Sequence, residues 1–286
     1  MQKKQINRFD LYRFQIIPLN RYIHGNLFGG INSVEELIEN KNKIFYNIIK
    51  HIDVIKSNRL EIQTRIIYNE DDILIYQFAP RKKINIETKD FEDKIIEDWP
   101  SFHVIIWNHP DVQIIAIEER KKAFRDTKTV NNTFINMVND LIKVQQLTIF
   151  SEPIFNKEDF WNIINSNKNG IKDIRFDLIT PNMASISNVL SDDLKDLAKN
   201  TNTEKTTMSI KANNESVLNI TKEDSQLSSL VQYASAGGGN ISIKIKGLKR
   251  RKQTSENVTT LEIDEVEFNS TSINKIKKLI DKLINT

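Results

Sequence analysis

A Glu-x-Lys sequence at the end of an apolar segment is the arrangement with the clearest catalytic potential. Glu119 and Lys121 follow a predicted strand, as they do in metal-dependent nucleases of the PD-(D/E)xK class. In such enzymes carboxylates hold Mg²⁺ while the lysine steadies the attacking water. Asp111 begins the same strand and lies about 26 Å from Glu119 at roughly 3.3 Å per residue, which is too far to share an ion. Glu97 or Asp98 could reach Glu119 across the hairpin, so a Mg²⁺-dependent nuclease is an alternative that the sequence leaves open.

A run of cations towards the end of the chain points to a different chemistry, the binding of a polyanion. Residues 239–252 contain no acidic residue. Clustered Lys and Arg side chains attract phosphate groups and give binding that is sensitive to salt. The cations of this run are Lys244, Lys246, Lys249, Arg250, Arg251 and Lys252.

Strand alternation indicates which of these cations are available. Lys244 and Lys246 fall on one side of the predicted strand 240–247, with isoleucines on the other side. If this strand forms a hairpin with the acidic segment 258–268, the two lysines face acids and are neutralised. Residues 249–252 then form the hairpin tip, where no acid nearby in the sequence compensates them. We therefore expect this tip to contact phosphates.

A second basic group leaves the predicted central sheet directly after Glu119. The chain as a whole has 41 Lys and Arg against 38 Asp and Glu, and its pI of 8.8 is below the value of about 9 that marks a strongly basic nucleic-acid-binding domain. No zinc finger or reading helix is evident, which favours sequence-tolerant contact with the backbone. Aromatic residues such as Phe160 and Trp161 occupy core-like positions, which favours duplex DNA over single strands. The second group consists of Arg120, Lys121, Lys122 and Arg125.

Composition excludes several other kinds of site and predicts no cofactor. The chain has no cysteine, which removes disulfides, thiolate nucleophiles and every cysteine-based metal site. Its four histidines show no spacing typical of metal ligands. The basic, polar N-terminus lacks the apolar stretch of a secretory signal, and no apolar run approaches the roughly 18–20 residues of a membrane-spanning helix. We expect a cytoplasmic protein with no direct membrane insertion.

The segment Ala236–Asn240 contains three of the eight glycines of the chain. A phosphate-binding loop would follow a strand, precede a helix and end in Gly-Lys-Ser or Gly-Lys-Thr. This segment instead follows a predicted helix and precedes a strand. The order favours a left-handed helix termination and a tight turn.

The elements that would carry these residues predict an α+β fold. In the first half, two antiparallel hairpins join segments 59–68 with 73–79 and 102–107 with 112–117, and Ser33 begins an amphipathic helix. In the second half strands and helices alternate, which predicts a second α+β module with a mixed or antiparallel sheet. We expect one domain over residues 1–146, with an antiparallel sheet and helices. A second domain over 147–286 would then carry the basic hairpin tip.

The order of elements between residue 97 and about residue 180 resembles the RexA family of phage-exclusion proteins of lambdoid prophages. The resemblance is carried by Trp99-Pro100-Ser101-Phe102 entering a strand, the return strand to Ala116, the basic residues before Phe124, the helix from Thr129, and Thr148–Pro153 leading to the strand through Phe176. It covers under a third of the chain. It implies a cytoplasmic, dimeric, DNA-binding sensor of phage infection that acts with a partner effector and is not an enzyme. It supplies no catalytic residue.

Three hypotheses follow from the sequence. The first is a non-enzymatic, sequence-tolerant duplex-DNA-binding component of a bacterial anti-phage defence system, forming a homodimer or a complex with a defence effector. The second is the Mg²⁺-dependent nuclease. The third is a scaffold subunit whose apolar-faced helices, such as 271–285, dock a partner protein.

Overall fold

The computed structural model describes residues 6–20, 33–57, 60–70, 72–180, 186, 188–201, 203–264 and 270–284. These residues form three antiparallel sheets and six α-helices, which confirms the α+β fold class. The strands are β1 (Ile6–Pro18), β2 (Val54–Ser57), β3 (Leu60–Glu70), β4 (Ile73–Pro80), β5 (Lys82–Glu87), β6 (Asp93–Asp98), β7 (Phe102–Trp107), β8 (Ile114–Glu118), β9 (Leu147–Pro153), β10 (Ile171–Ile179), β11 (Lys205–Lys211), β12 (Gly239–Ile245), β13 (Lys252–Gln253) and β14 (Thr260–Asp264). The helices are α1 (Val34–Ile49), α2 (Thr127–Ile142), α3 (Lys157–Ser166), α4 (Asp192–Asn200), α5 (Ser225–Tyr233) and α6 (Ser270–Ile284).

The largest sheet has the order β14-β1-β8-β7-β4-β3-β2, and β9 also pairs with β1. β1 is long enough to take two neighbours on the edge opposite β8, with β14 along its first half and β9 along its second half. The two neighbours meet at Leu11, whose N–H donates to Thr259 O and whose carbonyl accepts from Ile154 N, both at 2.9 Å. β1 therefore has hydrogen-bonded neighbours along both of its edges.

This pairing differs from the organisation that the sequence predicts. Segments 147–154 and 258–268 were expected in the second module, whereas β9 and β14 belong to the large sheet, and residues 265–268 lie outside the described residues. β14 also does not form a hairpin with β12, because β1 supplies its partner strand. The large sheet therefore contains strands from both sides of residue 146, so the boundary between the two sheets does not lie at one position in the sequence.

Helices cover both faces of the large sheet. α1 and α2 pack on one face through buried residues such as Phe45 and Phe134, and each begins at a side-chain cap, Ser33 or Asp126. α6 covers part of the other face. Its apolar residues Ile273, Ile276 and Ile280 are buried in the chain's own core. The expectation that this helix face docks a partner protein is wrong, because the sheet already covers it.

The small sheet has the order β11-β10-β12-β13. α3 and α5 pack against one of its faces, around a core that contains Phe160, Phe176 and Ile243. The other face carries charged and hydroxyl side chains, because alternate residues of β10, β11 and β12 point away from the helices. Among the described residues, no helix combines the length and the apolar character that crossing a membrane requires.

The glycine-rich segment lies where the two sheets meet. Gly237 has a φ of +87°, which confirms the predicted left-handed turn after α5. A Cβ at Gly237 would lie 2.4 Å from Arg13 Cβ on β1, and a Cβ at Gly239 would lie 2.3 Å from the carbonyl oxygen of Asp177 on β10. Both positions therefore need glycine so that the backbones can approach each other.

A two-stranded sheet, β5 with β6, continues the β4–β7 hairpin beyond the large sheet. We call this element the arm. Nearly every arm residue is exposed, including Phe91 in the loop between the two strands. The arm is an addition to the strands that the sequence predicts.

Candidate nucleic-acid interface

The predicted basic tip lies in a tight connection between β12 and β13. We call residues 246–252 the basic turn. β13 pairs with β12 in the register Ser242 to Gln253, so the turn closes a short hairpin. Gly247 has a φ of +85° and open space around it, and Leu248 N–H donates to Ile245 O at 3.2 Å. The turn projects from the end of the small sheet.

Lys244 supports this turn from inside the hairpin. Its Nζ donates to the carbonyl oxygens of Leu248 at 2.7 Å and Lys249 at 3.1 Å. The sequence predicts that Lys244 belongs to the phosphate-binding residues and that an acid of segment 258–268 faces it. The structure instead uses its ammonium group to satisfy two carbonyls of the turn, because β14 pairs elsewhere.

Arg251 is a second anchor of the basic turn. Its guanidinium makes a two-pronged contact with Asp173 on β10, from Nη1 to Oδ1 at 3.0 Å and from Nη2 to Oδ2 at 2.7 Å. The side chain of Asp173 is 10% exposed and that of Arg251 is 34% exposed. Hydrogen bonding to Arg251 holds the pKa of the Asp173 carboxyl below its usual value. The pair therefore stabilises the fold fully at pH values above the ordinary pKa of an aspartate carboxyl. This stabilisation is lost as the pH falls through the lowered pKa of Asp173.

The other four cations of the run are exposed on the surface of the turn. None of them forms an ion pair with a described residue. Leu248, at the apex between them, is 42% exposed. The structure thus separates the predicted cluster into two residues that build the turn and four that present charge to solvent. The four are Lys246, Lys249, Arg250 and Lys252.

Lys211 is a further cation near the basic turn, outside the two basic groups that the sequence predicts. Lys211 is on β11 and lies opposite Asp173 of β10. Lys244 of β12 lies opposite the same Asp173 from the other side. Its side chain is exposed on the open face of the small sheet. The alternation of polar residues along β11 could have revealed it, since every second residue from Lys205 onwards is exposed.

The second basic group occupies a different place in the fold. It follows β8 in a turn in which Arg120 O accepts from the N–H groups of Ala123 and Phe124. Lys122 Nζ lies 3.2 Å from Asp98 Oδ2 and is thereby compensated. Arg120, Lys121 and Arg125 are exposed without a described ion pair. No described contact joins this group, at the end of the large sheet, to the basic turn at the end of the small one.

The residues of the nuclease alternative do not assemble around a common point. Glu97 accepts from Arg81 Nε at 3.0 Å, Asp98 pairs with Lys122, and Glu119 lies 4.0 Å from Arg8. Asp111 lies at the opposite end of β8, in the turn after β7. Within the described parts of the chain, no group of three or more His, Asp or Glu side chains could hold a metal ion.

The neighbouring arginines of the basic turn should respond in opposite ways to substitution. Arg250→Ala should weaken DNA binding and leave the free energy of unfolding unchanged, because its side chain contacts solvent. Arg251→Ala should destabilise the protein by about 1 kcal/mol and affect DNA binding less, because it removes the partner of Asp173. Urea denaturation and fluorescence anisotropy with labelled duplex DNA measure the two effects. Equal losses of affinity in the two variants would contradict the assignment.

Comparison of the chain with protein-family models, with curated proteins and with solved structures finds no match.

Proposed function

We propose that this protein binds duplex DNA in the cytoplasm through the basic turn, by sequence-tolerant contact with phosphates. The observation that carries the proposal is the set of four exposed, uncompensated cations on a turn that Lys244 and Arg251 hold in shape. A preorganised cationic turn loses little conformational freedom when it binds, so more of the electrostatic attraction appears as affinity. Lys211 adds an exposed cation on β11, on the far side of β10 from the turn.

The open face of the small sheet supports duplex over single-stranded nucleic acid. The described strands present charged and hydroxyl side chains there, and Thr207 and Ser209 donate to the carboxylates of Asp177 and Asp173. The aromatic residue of these strands, Phe176, points into the core instead. Binding of single strands relies on stacking of bases against aromatic rings. Without an exposed aromatic ring on these described strands, the cations of the basic turn suit the phosphates of a duplex, which carry no sequence information directly.

Salt dependence is the first test of this proposal. Each phosphate contact adds about 0.9 to the slope of log affinity against log salt, so four contacts predict about 10²-fold weaker binding at about 200 mM than at about 50 mM salt. Fluorescence anisotropy with two unrelated duplexes of equal length measures both the slope and the tolerance for sequence. An absence of binding at the lower salt concentration would refute the proposal, and so would affinity that does not change with salt.

A role in anti-phage defence, with a partner effector, is part of the proposal only through the resemblance to the RexA family. A test of it is independent of DNA affinity. A strain that expresses the chain with its neighbouring gene products should plate phage less efficiently than a strain that lacks it. The protection should be lost when the four exposed cations of the basic turn are replaced. Equal plating of phage on all three strains would contradict the role in defence and would leave the proposal of DNA binding standing.

A further inference from the structure

The arm exposes a concentration of large apolar side chains that the fold itself does not bury. Phe91 is 88% exposed and Ile95 is 64% exposed, while Ile84 and Ile86 are each 37% exposed. An isolated two-stranded hairpin is at best marginally stable in water. Ile84 and Ile86 lie on one face of the arm together with Ile96, whereas Ile95 lies on the other face opposite Asn85, and exposed apolar residues on a strand mark interaction surfaces. The arm therefore has the character of an element that is completed by a partner.

The backbone of the arm defines which edge is available. Thr88 N–H donates to Glu92 O at 2.9 Å at the end of the hairpin. Hydrogen-bonded pairs alternate along an antiparallel ladder, so the N–H and C=O groups of Lys83, Asn85 and Glu87 point away from β6. Among the described residues, no strand other than β6 pairs with β5. This edge can accept a further strand.

One charge of β5 has an unfavourable neighbour within a single arm, although Lys83 lies opposite Glu97. Glu87 lies directly opposite Asp93 on β6, and like charges in this arrangement are destabilising. Lys83 lies two positions before Asn85, and Glu87 lies two positions after it. A second copy of β5, running antiparallel and centred on Asn85, would bring its Lys83 to Glu87 of the first copy. The pattern is therefore complementary to itself.

We propose that two copies of this chain associate through the β5 edges of their arms, with the two-fold axis at Asn85. The result is a four-stranded antiparallel sheet in the order β6-β5-β5-β6. Lys83 of each copy pairs with the partner's Glu87, which relieves the repulsion between Glu87 and Asp93. Ile84 and Ile86 of both copies form one continuous apolar face together with Ile96. Phe91 of each copy lies beside the base of the partner's arm.

Other arrangements match the side chains less well. A two-fold axis at Ile84 places Lys83 opposite the partner's Asn85 and Glu87 opposite the partner's Arg81, whose guanidinium and N–H are already engaged within its own chain. A register shifted by one residue sets outward-pointing backbone groups against inward-pointing ones. Association through the β6 edges leaves the repulsion between Glu87 and Asp93 in place. The arrangement centred on Asn85 satisfies both the backbone and the charges.

Complementary charge reversals test this arrangement. Glu87→Lys leaves the arm intact, since the new cation faces Asp93, but it sets two lysines against each other across the axis. Lys83→Glu sets two glutamates against each other in the same way and also faces Glu97 across its own arm, so the mixture with Glu87→Lys is its necessary control. Each variant alone should dimerise about 10-fold more weakly than the unmodified chain. An equimolar mixture of the two variants should recover the dimer, because both contacts then join opposite charges.

Size-exclusion chromatography with light scattering over a range of protein concentrations measures these equilibria. A monomer at every concentration for the unmodified chain would overturn the proposal. A dimer that Glu87→Lys leaves unaffected would equally overturn it, and would indicate another interface. Recovery in the mixture excludes misfolding as the cause of the single-variant effect.

A crosslink tests the position of the axis separately. The chain has no cysteine, so Asn85→Cys introduces the only thiol. Its Cα atoms in the dimer would be about 5.5 Å apart, within disulfide range. Mild oxidation should therefore give a covalent dimer. Ile95→Cys, on β6 and away from the axis, is the matched control and should crosslink far more slowly. Equal rates for the two variants would contradict the proposed axis.

Discussion

Replacement of Gly239 by alanine should destabilise the protein by about 3 kcal/mol, at the upper end of the range for overpacking. The added Cβ would lie 2.3 Å from Asp177 O and 2.9 Å from Leu178 Cα. Both are backbone atoms of β10, which pairs with β12 at this position, so no side-chain rotation can relieve the clash. The midpoint and slope of urea denaturation, followed by circular dichroism, measure the change.

Gly170→Ala is the matched control for this substitution. Its Cβ would make an ordinary contact of 3.4 Å with Ile245 Cγ2 at the other end of the same strand pair. We expect a change of less than about 0.5 kcal/mol, typical of a substitution without a clash. Equal denaturation midpoints for the two variants would contradict the close approach of β10 and β12 at Gly239.

Removal of all four exposed cations of the basic turn should produce the largest loss of DNA affinity. Replacement of Lys246, Lys249, Arg250 and Lys252 by alanine should weaken binding by roughly 10³- to 10⁴-fold at about 50 mM salt, because four phosphate contacts and their counterion release are lost. The slope of log affinity against log salt should fall by about 3.6. The free energy of unfolding should not change, since none of the four makes a described ion pair.

The control for this variant removes the same charge from elsewhere on the surface. Lys43, Lys89, Lys143 and Lys168 are exposed and lie outside both basic groups. Their replacement by alanine should weaken DNA binding by less than about 10-fold through the change in net charge alone. Equal losses in the two quadruple variants would show that attraction is spread over the molecule. A set of alanines at Arg120, Lys121 and Arg125 would then measure the share of the second basic group.

Local patterns were sufficient to predict most of the elements. Ser33 caps α1 as its spacing with Glu36 predicts, and the hairpins β3–β4 and β7–β8 form where polar turns separate apolar segments. These features depend on residues close together in the sequence. The α+β class follows from them, because antiparallel hairpins and amphipathic helices are both present.

Pairing between remote segments was not predictable in the same way. β14 pairs with β1, which lies about 250 positions earlier in the chain. A single sequence carries no signal that selects β1 over β12 as the partner of β14. Arg251 pairs with Asp173, 78 positions earlier. The sequence around Arg251 therefore does not distinguish its structural role from the solvent exposure of Arg250 and Lys252. The arm was missed because its few isoleucines face no core, although the alternation in Lys82–Glu87 is typical of a strand.

The position of β1 has a consequence for how the protein is made. This strand leaves the ribosome first among the described elements, yet its two neighbours on one edge are supplied by residues 147–153 and 260–264. Pairing over such separations raises the contact order and slows folding. Until the last of these segments is synthesised, an edge of β1 remains open to pairing with other nascent chains. Translation of β14 therefore sets the earliest time at which the large sheet can be completed.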